Sequence, residues 1–307
     1  MGNVVATYGF LLVSMLLGAT LGLSVYLPLM AGQLSLASPA FYALGGYLAA
    51  ILSTKGLTAS PEYSVGALLL EMGLAAIAAA VLAFLVGYPV LRLRGIYLAI
   101  ATIALVEIVR VVALNLSITG GAVGIFGIPQ PFSSAVGYLW IALPLLLIAV
   151  AACWRLQQVR TGLVLAAIRE DELAASAIAV NTTRYKVLAF VLGAVLASLV
   201  GAVSAHFLNT WNPRQGTFDA SITFLAFVLI GGSRSAFGPV LGGMVLTALP
   251  ELLRAIGSVP GLWPGLSRLL QDGRLLIFGL LLVLGSIYFP QGLIKPRASQ
   301  PRRRRTS

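Results

Sequence analysis

Residues 7–30 read TYGFLLVSMLLGATLGLSVYLPLM. No charged side chain occurs in this stretch, and none occurs anywhere before Lys55. A hydrocarbon core about 30 Å thick is crossed by a helix of about 20 apolar residues. Residues 1–54 therefore have the length and the neutrality of two membrane spans. The whole chain agrees: of 307 residues, 59% are hydrophobic and 9% charged, with a mean hydropathy of +0.98. Soluble domains carry roughly 25% charged residues, so lipid rather than water must solvate most of this surface.

Further apolar runs lie at 37–54, 63–87, 95–114, 135–154, 187–207, 220–235, 236–255 and 273–290. They are rich in Leu, Ala, Val and Gly and lack the period-two alternation of barrel strands, so they predict helices. The expected fold class is an all-α polytopic membrane protein with about 8–9 transmembrane helices. The pairs Gly18/Gly22 and Gly238/Gly242 have the spacing that lets helix backbones approach closely in lipid. Two stretches rich in Gly, Pro and polar residues interrupt the apolar surroundings: 31–39 (AGQLSLASP) and 231–239 (GGSRSAFGP). Each is either a short loop or a broken, re-entrant helix that exposes backbone groups to a ligand. Gln33, Ser35, Gly231 and Gly232 in these stretches are candidates for a translocation path or for helix packing.

The net charge is +11. The positive residues stand between the apolar runs, at Arg92 and Arg94, then at Arg155, Arg160, Arg169, Arg184 and Lys186, and finally at Lys295, Arg297 and residues 302–305. That is the positive-inside bias of a membrane protein rather than a nucleic-acid footprint. Nine spans, with the N-terminus outside and the C-terminus in the cytoplasm, place all three regions inside. The organisation is then a transmembrane domain over 1–294, a cytoplasmic loop at 155–186, and an unstructured basic tail at 295–307 that can touch anionic headgroups. The start, MGNVVATYGF, lacks the basic region of a cleaved signal peptide.

No enzyme constellation is present. There is no phosphate-binding G-x-x-x-x-G-K-[ST] loop and no Gly-Lys dipeptide. The single cysteine, Cys153, and the single histidine, His206, both sit in apolar runs and read as packing residues. No cofactor is expected. Glu107 and Arg110, three apart on the fourth run, share a helix face. Charges at membrane depth are costly and face a protein interior or a cavity, so this pair belongs to a path or to a helix interface. Glu71 has no local partner in the sequence.

One polar island stands out: residues 161–186, TGLVLAAIREDELAASAIAVNTTRYK, which hold Glu170, Asp171 and Glu172, three of the nine acids. Composition predicts one helix over 163–180, with Asn181, Thr182 and Thr183 as its exit. Leu165, Ile168, Leu173 and Ala177 would line one side and Arg169, Asp171 and Glu172 the others. Residues 161–181 carry Arg169 against three acids, a net charge of −2. An acidic amphipathic helix suits the groove of a soluble protein partner better than anionic lipid.

Five ordered blocks resemble the M-type permease subunit of branched-chain amino acid ABC importers. They are Gly32-Gln33-Leu34-Ser35-Leu36 with 40–47 (AFYALGGY), 93–102 (LRGIYLAIAT) running on to Glu107 and Arg110, Thr119-Gly120-Gly121 with Gly124-Ile125, the segment Ala167-Ile168-Arg169-Glu170-Asp171-Glu172 with Ala174-Ala175, and Ile230-Gly231-Gly232 with Ser235 and Gly238-Pro239-Val240-Leu241-Gly242. Arg234, Leu163, Ala179 and Val180 depart from the family pattern. The resemblance implies a bacterial or archaeal inner-membrane subunit without an ATPase motif of its own. It implies as partners a second homologous permease, two ABC ATPase subunits and an extracytoplasmic solute-binding protein, all set among membrane lipids. It also implies that Ala167 to Glu172, with Ala174 and Ala175, contact the ATPase, and that the cargo is a branched-chain amino acid or a related small solute. The competing expectation is an ion-coupled carrier with Glu71 or Glu107 as its ion site.

Overall fold

The computed structural model describes residues 2–59 and 63–257, together with residues 279, 280, 283 and 284. The described chain is helical: α1 (Gly2–Met30), α2 (Ser38–Lys55), α3 (Val65–Val90), α4 (Ile96–Asn115), α5 (Leu139–Gln158), α6 (Arg160–Glu170), α7 (Glu172–Ala177), α8 (Thr182–Leu208), α9 (Phe218–Gly231) and α10 (Phe237–Gly257). Most ends fall within a few residues of those read from hydropathy. Local chemistry sets several of them. Pro39 opens α2, where a missing N–H costs nothing. Ser64, Asn181 and Thr217 cap α3, α8 and α9 by accepting backbone N–H bonds.

Six stretches are long and apolar enough to cross a membrane: Tyr8–Met30, Val65–Val90, Ile96–Asn115, Ala135–Gln158, Thr182–Leu208 and Phe237–Ile256. The protein is thus multi-pass. Two further helices sit among them. The 18 residues of α2 are less apolar, and twelve of them are buried against neighbouring helices. The 14 residues of α9 rise only about 21 Å, short of the roughly 30 Å core. The ninth apolar run, 273–290, and the basic tail, 295–307, lie outside the described residues.

Two helices form the spine. Gly45 of α2 meets the backbone of Ser198, and Gly201 of α8 meets that of Tyr42, so α2 and α8 touch main chain to main chain. The glycine pairs noted in the sequence act likewise, Gly18 and Gly22 against α10, and Gly238 and Gly242 against α9. At one end, β1 (Ile125–Phe126) pairs antiparallel with β2 (Thr210–Trp211). Buried Trp211 donates its indole N–H to the Ala43 carbonyl at 3.2 Å. At the other end lie α6 and α7, with Arg92, Arg94, Arg184 and Arg234 close by, whereas Arg214 lies beside β2.

Candidate functional site

The polar island is not one helix. Asp171 leaves the helical region, at φ −153° and ψ 107°, and its carboxylate accepts the N–H groups of Leu173 at 2.8 Å and Ala174 at 3.0 Å. An Asp that caps the helix behind it must end the helix in front of it. The exit reading also changes, since Asn181 caps α8 rather than closing the island. The break moves the expected apolar side. Leu165 and Ile168 are buried, as is Ala175, whereas Leu173 and Ala177 are exposed. Leu163, Leu173 and Ile178 are 66%, 64% and 74% exposed, and Ala167, Glu170 and Ala174 are exposed beside them. The exposed side chains of the island are thus both apolar and acidic.

The other side of the island reaches inward. Arg169 Nη1 donates to the Ser233 carbonyl at 3.1 Å, and Nη2 to Ser233 Oγ at 3.3 Å. Ser233 lies in the break between α9 and α10. On its other flank Arg169 abuts the break between α1 and α2, where a Cβ on Gly32 would stand 3.1 Å from the Arg169 Cα. Gly32 has φ +72°, which glycine adopts freely. Arg169 therefore touches both helix breaks. A cleft of about 430 Å³ opens beside it, lined by Leu163, Glu170 and Arg234 among others.

Glu172 ties the island to the spans. It takes Lys186 Nζ of α8 at 2.6 Å, Thr182 Oγ1 at 3.4 Å, and Arg94 Nε from the turn before α4 at 3.5 Å. Lys186 is buried, with 7% of its side chain exposed. Of the eight candidates in the island, Arg169, Asp171 and Glu172 thus make internal bonds, Ile168 and Ala175 pack, and Ala167, Glu170 and Ala174 face out.

The first break is supported from two sides. Leu36 donates its N–H to Thr102 Oγ1 of α4 at 3.1 Å, and its carbonyl accepts Ser221 Oγ of α9 at 3.0 Å. An interruption inside a membrane protein survives only with such partners. Ser35 is buried, and its hydroxyl accepts the Ala37 N–H at 3.4 Å. Gln33 is buried with no hydrogen-bond partner for its side-chain amide. Thr102 and Ser221 were missed in the sequence; the one signal was the position of Thr102 at the end of the 93–102 block. At the second break, Gly231 packs against the backbones of Gly238 and Gly242, and Gly232 turns the chain at φ +115°. Glu107 and Arg110 pair at 2.8 Å on α4, more than a third exposed, and do not meet either break.

Glu71 is not lonely, and His206 does more than pack. Both are fully buried, with His206 Nε2 2.6 Å from Glu71 Oε2. Tyr63 donates to the same oxygen at 2.8 Å, and the Thr58 hydroxyl binds the other. His206 Nδ1 lies 2.7 Å from the Pro129 carbonyl, which can only accept, so Nδ1 carries a hydrogen. Burial, reinforced by Glu71, pushes the Tyr63 phenol up, which keeps its hydroxyl a donor. The cluster clamps α3, α8 and two loops at the end opposite α6 and α7.

Comparison with known proteins follows the same lines. The family model described as "Branched-chain amino acid transport system / permease component" matches residues 7–285. The chain is 33% identical over 304 residues to the high-affinity branched-chain amino acid transport system permease protein LivM of Salmonella typhimurium, a match covering 89% of this chain and 66% of that protein. The figures for LivM of Escherichia coli are the same. A shorter match, 32% identical over 135 residues, covers 43% of this chain and 43% of the permease protein LivH of Salmonella typhimurium. The chain thus spans just under two thirds of the length of the two LivM relatives. No solved structure gives a significant match. The chain belongs to the family of branched-chain amino acid transport system permease components.

Proposed function

We propose that this chain is one permease subunit of an ATP-driven importer that moves branched-chain amino acids, or a closely related small solute, into a bacterial or archaeal cytoplasm. It would pair with a second, homologous permease. Two ABC ATPase subunits would bind at the α6–α7 end, and an extracytoplasmic binding protein would deliver the solute at the opposite end. The gathering of Arg92, Arg94, Arg155, Arg160, Arg169, Arg184, Lys186 and Arg234 around α6 and α7 supports a cytoplasmic position for that end. It also supports residues 155–186 as the coupling loop of a transmembrane domain running over 1–294, with the basic tail on the same side.

The observation that carries this reading is Arg169. An element that exposes apolar and acidic side chains also holds an arginine whose guanidinium bonds to Ser233 in one break and whose Cα and stem abut Gly32 in the other. A push on the outer face by an ATPase that closes on ATP would be felt at both breaks, a two-state element biased from outside the membrane. Ala167, Glu170 and Ala174 would meet the ATPase. Arg169 would transmit, and Asp171 and Glu172 would hold the shape. Gln33 and Ser35 in one break and Gly231 and Gly232 in the other would flank the path that opens, and Glu107 and Arg110 would face the second permease or the path. The ion-coupled alternative is weakened by the bonding of Glu71, whose two oxygens are already engaged inside the protein.

The test is reconstitution. Liposomes holding both permeases, the ATPases and the binding protein should accumulate labelled leucine only with ATP. Liposomes holding this chain alone should accumulate none under an imposed proton or sodium gradient. Gradient-driven uptake by the single chain would replace this reading with a secondary carrier.

A further inference from the structure

A cleft of about 1180 Å³ opens at the α6–α7 end, between the last turns of α3, the first turns of α8 and the loop that follows α7. Small-molecule pockets run from about 300 to 1,000 Å³, so a headgroup and the start of an acyl chain fit. The walls are graded. Along α3 and the turn after it, Phe84, Tyr88 and Arg92 follow at four-residue steps on one side of the cleft. Along α8, Val191 and Leu188 give way to Tyr185 and Arg184. Apolar side chain, then phenol, then cation is the order a chain meets on leaving the hydrocarbon for the headgroup layer.

The charge at the mouth is uncompensated. No carboxylate lines the cleft. Among the described residues, Arg92 and Arg184 pair with no acid, while Arg94 and Lys186, each two positions away, both engage Glu172. The Arg92 guanidinium stands 4.8 Å over the Tyr88 ring. Stacking of that kind holds the group in place and leaves its in-plane donors free for a phosphate fork. The third wall is Ala179 and Val180, immediately after the coupling helices. Ala179 has φ +61°, a strained value for a residue with a side chain.

We propose that this cleft binds one anionic phospholipid of the adjacent leaflet, with its phosphate between Arg92 and Arg184 and an acyl chain along Phe84 and Leu188. A soluble phosphate shares the headgroup chemistry, but the apolar floor has no use for it. Basic pockets between transmembrane helices take such headgroups. The lipid braces the loop joining α7 to α8 and so links bilayer composition to the position of the coupling helices. The site does not depend on which solute is carried.

The test is native mass spectrometry of the full chain titrated with phosphatidylglycerol or phosphatidylcholine. The wild type should retain one phosphatidylglycerol in preference to phosphatidylcholine by roughly 30-fold, the scale set by two basic side chains at a membrane surface. The double variant Arg92→Gln/Arg184→Gln should lose that preference. Arg155→Gln, exposed at the same end but outside the cleft, should keep it. Leu188→Trp, which fills the floor and leaves both arginines, should lower retention as well, and it carries the test if the double variant does not fold. An undiminished preference in the double variant overturns the proposal. So does displacement of the phospholipid by millimolar inorganic phosphate together with wild-type retention in Leu188→Trp, which would mark a soluble-anion site.

Discussion

Replacing Glu172 by Gln removes the charge facing a buried ammonium, and the structure sets the size of the effect. Lys186 Nζ lies 2.6 Å from Glu172 Oε1 with 7% of its side chain exposed, whereas Glu172 is 23% exposed. Removing one partner of a fully buried pair costs about 3–5 kcal/mol. Here partial exposure screens the pair and Gln keeps a neutral acceptor, so about 2–3 kcal/mol is expected. The second ion pair of Glu172, with Arg94 at 3.5 Å, is 62% exposed on the arginine side and adds little. The loss should appear as local opening of α7, because Glu172 is its first residue and its main link to α8. At about 1.4 kcal/mol per tenfold, amide hydrogen exchange over 174–177 should accelerate roughly 30- to 150-fold, provided α7 opens as a unit. Lys186→Met in the Glu172→Gln background removes the stranded charge and should recover more than half of the protection. Exchange within threefold of wild type in the single variant, or no recovery in the double variant, would refute the argument that this pair holds α7 in place.

Arg169→Ala should leave ATP hydrolysis by the assembled complex while uptake falls roughly tenfold, since about 1–2 kcal/mol of hydrogen bonding to Ser233 is lost; Arg169→Lys should recover part of it, lacking the planar fork. Gly32→Ala places a Cβ 3.1 Å from the Arg169 Cα at φ +72°, so the melting temperature of the purified chain should drop, at a cost of roughly 1–2 kcal/mol, whereas Gly66→Ala, with only Ser64 Oγ at 3.6 Å, should not lower it. Glu71→Gln leaves His206 without its carboxylate and should destabilise the chain by about 3 kcal/mol in thermal unfolding; wild-type stability with abolished uptake would instead favour an ion-binding role for Glu71.

Most spans were legible because hydropathy is a local property and lipid enforces it residue by residue. The positions of both interruptions were legible through Gly32, Gly231 and Gly232, which follow helix ends, and Pro39, which opens the next helix, although loop and broken helix were left as alternatives. What stayed hidden depends on choices between local options or on distance. Ala, Leu and Glu around Asp171 favour one continuous helix, yet the Asp171 side chain binds the N–H groups two and three residues on and splits it. That choice was within reach, since Asp is a strong capping residue. The bond from Leu36 to Thr102 spans 66 positions and that from Glu71 to His206 spans 135. No periodicity joins residues so far apart. An acid without a local partner in an apolar run was nevertheless a sign that a distant partner existed.

The central claim is that ATP-driven movement enters through the exposed face of α6 and α7. Single cysteines at Ala167 and Ala174, with the buried native Cys153 replaced by Ser, test it most directly in the reconstituted complex. Both positions should form disulfides with a cysteine-scanned ATPase surface, ATP should change the yield, and a bulky maleimide at either should stop uptake. Full ATP-driven uptake with both positions carrying the bulky label would contradict the account.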